Sequence, residues 1–478
     1  MEKIKNFLFK NQTTKQTIVK NFFWVSLGVS LSKILKSIVI IYAARILGVE
    51  GYGIFTYALS FVAVFNIFSD LGLSNLLTRD LIKRDDKENY LATALSIKIV
   101  LSVATLIFIG FVSPIFTNIE EAKPLMLIVA ILITFDGLRS FIFSIYRSMN
   151  RMQFEAFFEI LTEVIITISC IAVLFKIPSV LNFSLAYMLA SGAGFILTLL
   201  FTSKYISNII KNFKRKLLLP IVKSAWPFTV VGVFGVLMTS IDSVIIGFLK
   251  PVQDLGLFGA AQRPISIIYL IPGFMYTALL PFFSKFAEDK EKLSKFTTTS
   301  IVISLGLAMP IVVGGAILAK PIINVIYGYN FIESANVFRI LLLTMIPIFP
   351  GMILSAILLA KDKQKIFIRS TFFGAIANII LDFLLIPKYG IEGSAWATVV
   401  TQMIANSILF YEVNRNIELR IWSRFKKIIF SLLVMTTITL VLKAYSVPLV
   451  LIFIASAITY FCMLIALKDK TLEEIKTS

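Results

Sequence analysis

Eleven ionisable side chains fall inside apolar runs long enough to cross a bilayer. In the first half they are Lys33, Lys36, Asp70, Lys98, Asp136, Arg139 and Glu163; in the second, Asp242, Arg263, Arg339 and Asp382. A charge at the centre of a membrane helix costs about 2.5–3.5 kcal/mol on insertion scales, so each marks a buried partner, a wet cavity or an ion path. Lys33 and Lys36 stand midway along their run, where the side chain cannot easily reach the headgroups. They are three apart and share a helix face, and Ser26, Ser30 and Ser37 extend that face into a polar stripe. Such a stripe faces a cavity or another helix rather than lipid. The chemistry this suggests is electrostatic: a cationic cavity for an anionic ligand, with carboxylates as counter-ions or coupling-ion sites. The candidate ligand-binding residues are Lys33, Lys36, Arg139, Arg263 and Arg339. The candidate coupling or counter-ion residues are Asp70 and Asp242.

Plainer readings stand beside these. Asp136 and Arg139, at i and i+3, can pair with each other. Lys98, Arg263 and Arg339 lie within about two turns of span ends and can snorkel to the headgroups. Asp382 is one turn from its span end, where a structural role is expected. Glu155, Glu159 and Glu163 share one face entering the fifth span and can pair with Arg147 and Arg151 at its rim. Ser60, Asp70 and Ser74, and Ser370, Gly374, Asn378 and Asp382, are spaced as helix-packing contacts. The chain has no histidine, and its two cysteines, Cys170 and Cys462, lie within apolar spans far apart in sequence. There is no G-x-x-x-x-G-K-[ST], H-E-x-x-H or G-x-S-x-G motif. No catalytic residue, cofactor or metal is therefore expected, and the chain reads as a secondary transporter rather than an enzyme.

The elements that must position these charges are membrane helices. Of 478 residues, 58% are hydrophobic and 15% charged, against about half and about a quarter in a soluble domain. Spans are expected near 21–44, 52–78, 91–112, 125–147, 158–175, 180–201, 223–248, 257–284, 297–318, 336–360, 367–386, 393–413, 425–442 and 447–467. That makes an all-α membrane protein of about fourteen transmembrane helices. Of the 46 Lys and Arg, 33 fall on one set of alternate loops and ends and 7 on the other, with 6 inside spans. This asymmetry puts both ends in the cytoplasm of a cell membrane. It also attributes the net charge of +19 to orientation, not to nucleic-acid binding. The lysine-rich first 20 residues, followed by a long span with no small-residue cleavage pattern, read as an uncleaved start-transfer helix. Gly51-Tyr52-Gly53-Ile54-Phe55 opens the second span, and Leu255-Gly256-Leu257-Phe258 opens the eighth in the same way. This weak repeat suggests two pseudo-symmetric six-helix lobes around a central cavity, a common transporter plan. The expected divisions are 1–203 for the first lobe, 204–222 for a cytoplasmic connection, 223–413 for the second lobe, and 414–478 for two further helices and a tail. Prolines recur in the second half (Pro227, Pro264, Pro272, Pro281, Pro310, Pro347 and Pro350) and are expected to bend helices.

Four motifs in order carry a resemblance. They are Ala44-Arg45-Ile46-Leu47-Gly48 with Gly51-Tyr52-Gly53; Asp70-Leu71-Gly72-Leu73 with Thr78-Arg79; Ile241-Asp242 with Gly247 and Leu255-Gly256-Leu257-Phe258; and Leu385-Ile386-Pro387 with Tyr389-Gly390-Ile391 and Gly393-Ser394-Ala395. Together with fourteen spans they resemble the polysaccharide biosynthesis flippases of the Wzx type, within the multidrug/oligosaccharidyl-lipid/polysaccharide exporter superfamily, over about residues 15–420. The resemblance implies a flippase for a polyprenyl-pyrophosphate-linked oligosaccharide, alternating between inward- and outward-open states. It implies drive by H+, Na+ or the membrane potential, without ATP. Its expected partners are the lipid-linked anionic oligosaccharide, membrane lipid and a glycan polymerase complex. Ser243 stands where the family often has a basic residue, and Phe258 where it often has Tyr. Rival readings are a multidrug or cation antiporter of the same superfamily, a lipid II flippase, and a non-transporting scaffold of a glycan-assembly complex. The sequence predicts that Lys33→Ala combined with Lys36→Ala abolishes surface glycan without preventing membrane insertion. Normal glycan export by the double variant would refute the cavity assignment.

Overall fold

The computed structural model describes residues 13–82, 84–117, 119–206, 209–417, 419 and 422–467. The basic residues Lys3, Lys5, Lys10, Lys83, Arg420, Lys468, Lys470 and Lys476, counted above in the loops and ends, lie outside these. Among the described residues there is no strand. The first unit ends at Gly259 and contains α1 (Thr14–Asp70), α2 (Lys87–Phe116), α3 (Lys123–Ser148), α4 (Met152–Lys176), α5 (Val180–Ile206) and α6 (Arg215–Leu249). The division falls inside α7 (Val252–Ile268). The second unit continues with α8 (Leu270–Lys285), α9 (Lys290–Ile317), α10 (Ser334–Leu342), α11 (Met345–Ala360), α12 (Gln364–Asn416), α13 (Trp422–Ala444) and α14 (Leu449–Ala466).

Among the described residues, twelve stretches are long and apolar enough to cross a membrane. Two of them, Val19–Asp70 and Gln364–Arg415, run to 52 residues. As straight helices these would be about 78 Å long at 1.5 Å per residue, more than twice the hydrocarbon thickness of about 30 Å. Each is broken at one glycine. Gly48 has φ 73°, ψ −178° and Gly390 has φ 59°, ψ −143°, conformations open essentially to glycine alone. The fold-back is tight: a Cβ placed on Gly393 would lie 2.5 Å from the Leu385 carbonyl oxygen, eight residues earlier. Counting each broken stretch as two crossings gives the expected fourteen.

Proline sets two further breaks. A proline cannot donate to the carbonyl four residues before it. That carbonyl belongs to Ile268 for Pro272 and to Leu343 for Pro347. The α-helical hydrogen-bond ladder is interrupted at these places, between α7 and α8 and between α10 and α11, while the backbone keeps right-handed helical dihedrals. Pro227 and Pro310 remain inside continuous helices.

In the first unit, the repeated glycine motifs meet. A Cβ on Gly53 would lie 2.1 Å from the Val252 carbonyl oxygen, and one on Gly256 would lie 2.0 Å from that of Val49. The two helix starts touch backbone to backbone, as small residues allow in membranes. Below this contact Val39, Ala43 and Phe55 share a core with Leu132, Ile166 and Phe183. In the second unit, Phe283, Leu293, Ile301, Ile353, Ile357 and Leu409 form one core. The last two helices dock on α9: Tyr460 donates to the Gly306 carbonyl at 2.8 Å, and Lys443 to that of Ile317 at 2.7 Å.

At the end of α1, Lys98 is 1% exposed and holds Asp70 at 2.9 Å, while the Ser74 hydroxyl donates to the same carboxylate at 2.7 Å. Lys98 therefore does not snorkel. It reaches inward from α2 and pins the turn at Leu71 and Gly72 that leads into the short helix Leu73–Asp80.

Two outcomes are expected. Gly53→Val or Gly256→Val forces a branched side chain into a carbonyl and lowers stability by at least about 1–3 kcal/mol, read as a lower melting temperature in detergent; an unchanged melting temperature would contradict the contact. Lys98→Met strands Asp70 and destabilises by about 3 kcal/mol, and adding Asp70→Asn restores most of it. Additive losses in this double-variant cycle would show that the two side chains do not interact.

Candidate functional site

A polar hollow of about 220 Å³ lies in the first unit between α1, α3 and α4. Its ionisable lining comprises Lys36, Asp136, Arg139, Arg147, Glu155, Glu159 and Glu163. α1 and α4 approach closely here, since a Cβ on Gly28 would sit 2.9 Å from Ala156 Cα. α3 contributes Asp136, Arg139 and Arg147, whose spacing of three and eight keeps them near one face. α4 contributes Glu155, Glu159 and Glu163 at successive fours, a row down the facing helix.

Arg139, 3% exposed, is the hub. Its guanidinium holds Asp136 at 3.0 Å and Glu159 at 3.4 Å. Asp136 also accepts from the Ser191 hydroxyl of α5 at 2.6 Å. Arg147 grips Glu155 through both oxygens, with Nε at 3.0 and 2.9 Å. The Lys36 ammonium stands 5.7 Å from the ring centre of Tyr187 on α5, within cation–π range. Glu163 is 4% exposed, and its Oε2 is buried with no hydrogen-bond partner among the described residues. The lining thus has three basic side chains against four acidic ones. With all seven ionised it carries one uncompensated negative charge, and Glu163 is the carboxylate whose oxygen lacks a partner.

Size decides what the hollow can take. At about 220 Å³ the hollow has room for several waters. It is below the roughly 300–1,000 Å³ of drug-sized ligand sites. It suits protons, a small cation and water, and is too small for an oligosaccharide.

The structure brings only two of the expected ligand-binding residues, Lys36 and Arg139, to this hollow. Lys33 lies on the exposed side of the same helix. Asp70 is engaged by Lys98, and Asp242 is buried on α6. Arg263 and Arg339 belong to the second unit. Arg263 is half-buried. Arg339 caps the end of α9, its Nε donating to the Ala316 carbonyl at 3.0 Å, and it holds Asn336 at 2.8 Å. Asp136 and Arg139 do pair with each other, and Glu155 does pair with Arg147. Glu159, by contrast, turns inward to Arg139 instead of to the rim. The row Glu155, Glu159, Glu163 was visible as a period-four repeat. Tyr187 and Ser191 carried no signal, because one aromatic and one serine in an apolar span look like packing.

Comparison with known proteins agrees with this architecture. A capsular polysaccharide biosynthesis protein, CapF of Staphylococcus aureus, is 23% identical over 415 residues, covering 83% of this chain and 100% of that protein. A putative O-antigen transporter of Shigella flexneri is 25% identical over 402 residues, covering 79% and 93%. Among solved structures, the lipid II flippase MurJ in an inward closed conformation shares the fold with a TM-score of 0.76 at 19% identity, over 94% of this chain and 99% of that one. A MatE family model matches residues 227–384. The model of the family described as polysaccharide biosynthesis protein matches residues 18–287, more than half of the chain. This multi-pass membrane protein belongs to the polysaccharide biosynthesis protein family.

Proposed function

We propose that this chain is a flippase that moves a polyprenyl-pyrophosphate-linked oligosaccharide across the cell membrane by alternating access, driven by an ion gradient or the membrane potential. Family membership and the names of its relatives support the substrate class. The observation that carries the coupling is the uneven charge count around Arg139. A small hollow with one carboxylate in excess favours an added proton or cation, which is what a coupling site must do. Glu163 is the group that takes it. Lys36 and Arg139 hold the surrounding carboxylates, and a change of charge at Glu163 alters the attraction between α1, α3 and α4. Lys33, exposed on the same helix one turn away, is the proposed contact for a large anionic headgroup, and Arg263 is retained as a further candidate ligand-binding residue of the second unit. Asp70 acts as counter-ion to Lys98, and Asp242 is retained as a second coupling carboxylate. The functional halves are the two six-helix lobes, 1–203 and 223–413, with both ends in the cytoplasm. A glycan polymerase complex is the proposed partner.

A second reading is an antiporter of drugs or small cations. The surplus carboxylate and the MatE match over 227–384 favour it. Export of cationic dyes from cells expressing the chain would separate it from the flippase.

The test uses proteoliposomes holding a fluorescent lipid-linked oligosaccharide. An imposed proton or sodium gradient should accelerate its movement at least tenfold in the unaltered protein. Glu163→Gln should still move the lipid downhill, with the acceleration lost. Gradient dependence equal to the unaltered protein would remove Glu163 from coupling, and no movement by either protein would remove the flippase reading.

A further inference from the structure

A second hollow in the first unit has the opposite character. It holds about 820 Å³ and is walled by Trp24 of α1, Tyr146 of α3, Phe154, Phe157 and Val164 of α4, and Phe201 of α5. Neither its size nor its lining is used by the coupling network. Phe157 and Phe201 are exposed, so the hollow opens sideways to the membrane.

One end carries charge. Arg151, the residue preceding α4, lines the hollow and is exposed. Glu155, the nearest acidic side chain along the chain, is held by Arg147, and Arg151 forms no ion pair among the described residues. A second basic side chain is close: Lys20 is wholly buried and donates to the carbonyl of Asn150, the residue before Arg151, at 3.2 Å. Gln153 also lines the hollow, and its buried Oε1 accepts no hydrogen bond from the described residues. An exposed cation and an unmet acceptor at the mouth, with Lys20 buried behind them, suit a phosphate with a hydroxyl-bearing headgroup.

The other end is fixed by length. Arg151, Phe154, Phe157, Leu161 and Val164 follow one another at steps of three or four on one helix face. From Arg151 to Val164 is thirteen residues, about 20 Å at 1.5 Å per residue. Half of the hydrocarbon core is about 15 Å. The groove therefore runs from the headgroup level to about the bilayer midplane, the depth of one leaflet. Basic pockets between helices at the membrane surface are recognised anionic-lipid sites.

We propose that this groove is a specific site for an anionic glycerophospholipid. The phosphate is held at Arg151 with Lys20 behind it, a headgroup hydroxyl at Gln153, and one acyl chain among Trp24, Phe154, Phe157 and Phe201. The site does not rest on the flippase reading, because its ligand is a bulk membrane lipid and not cargo.

The experiment is native mass spectrometry of the full chain released from nanodiscs of phosphatidylglycerol and phosphatidylcholine mixed in equal parts. One phosphatidylglycerol should remain bound after the annular lipid is stripped, in at least tenfold preference over phosphatidylcholine. Arg151→Gln should abolish the preference and Arg151→Lys should keep most of it. Val164→Trp, which fills the deep end, should release the bound lipid without changing the melting temperature. Equal retention of the two lipids, or a preference that survives Arg151→Gln, would reduce the groove to ordinary annular contact. Retention unaffected by Val164→Trp would overturn the acyl-chain placement. A polyprenyl phosphate as the retained species from cell-derived membranes would overturn the assignment to phospholipid.

Discussion

The structure of the first unit turns on the cost of charge in a low-dielectric medium. Two unit charges 4 Å apart attract by about 4 kcal/mol at an effective dielectric constant of 20, while stripping each of water costs several kcal/mol. Buried charges are therefore tolerable in pairs and expensive singly. Arg139 meets this constraint by holding Asp136 and Glu159 together, and Arg147 by gripping Glu155. With Lys36 the cations number three, and the carboxylates lining the same hollow number four. The imbalance cannot be removed by rearranging these side chains. An added proton or cation removes it, and this is the basis of the ion coupling proposed above.

The backbone places the network through a few residues whose chemistry leaves little choice. Gly48 and Gly390 turn two 52-residue apolar stretches into hairpins. Gly53 and Gly256 let two helix starts touch through their main chains. Gly28 against Ala156 brings α1 close to α4, so that Lys36 and the row of glutamates border the same space. Pro272 and Pro347 interrupt helices because neither can donate to the carbonyl four residues earlier. The Lys98–Asp70 pair then secures the turn after α1.

Much of this was legible in the sequence, because membrane helices declare themselves by length and apolarity. The fourteen crossings, the repeated glycine motifs and the pairing of Asp136 with Arg139 could all be read from spacing. What could not be read was which charges share a space. Lys33 and Lys36 are three apart, which puts them on one face but about 60° from each other around the helix. That angle is enough to leave Lys33 exposed and bring Lys36 to the hollow. Arg339 looked like any intramembrane cation, yet it serves a carbonyl at the end of α9, a use set by tertiary contact. Lys98 lay close enough to a span end to snorkel, but its partner comes from 28 residues earlier. Glu163 stood in a visible row of glutamates, but its lack of a partner depends on where α1 and α3 place their cations.

The central claim is that charge in this hollow links an ion to the movement of a lipid-linked glycan. The most direct measurement records ion flux in proteoliposomes with no imposed gradient, while a lipid-linked oligosaccharide gradient is established across the membrane. The account expects the glycan gradient to drive proton or sodium movement in a fixed ratio to the glycan flipped. Glycan crossing with no accompanying proton or sodium flux would contradict it.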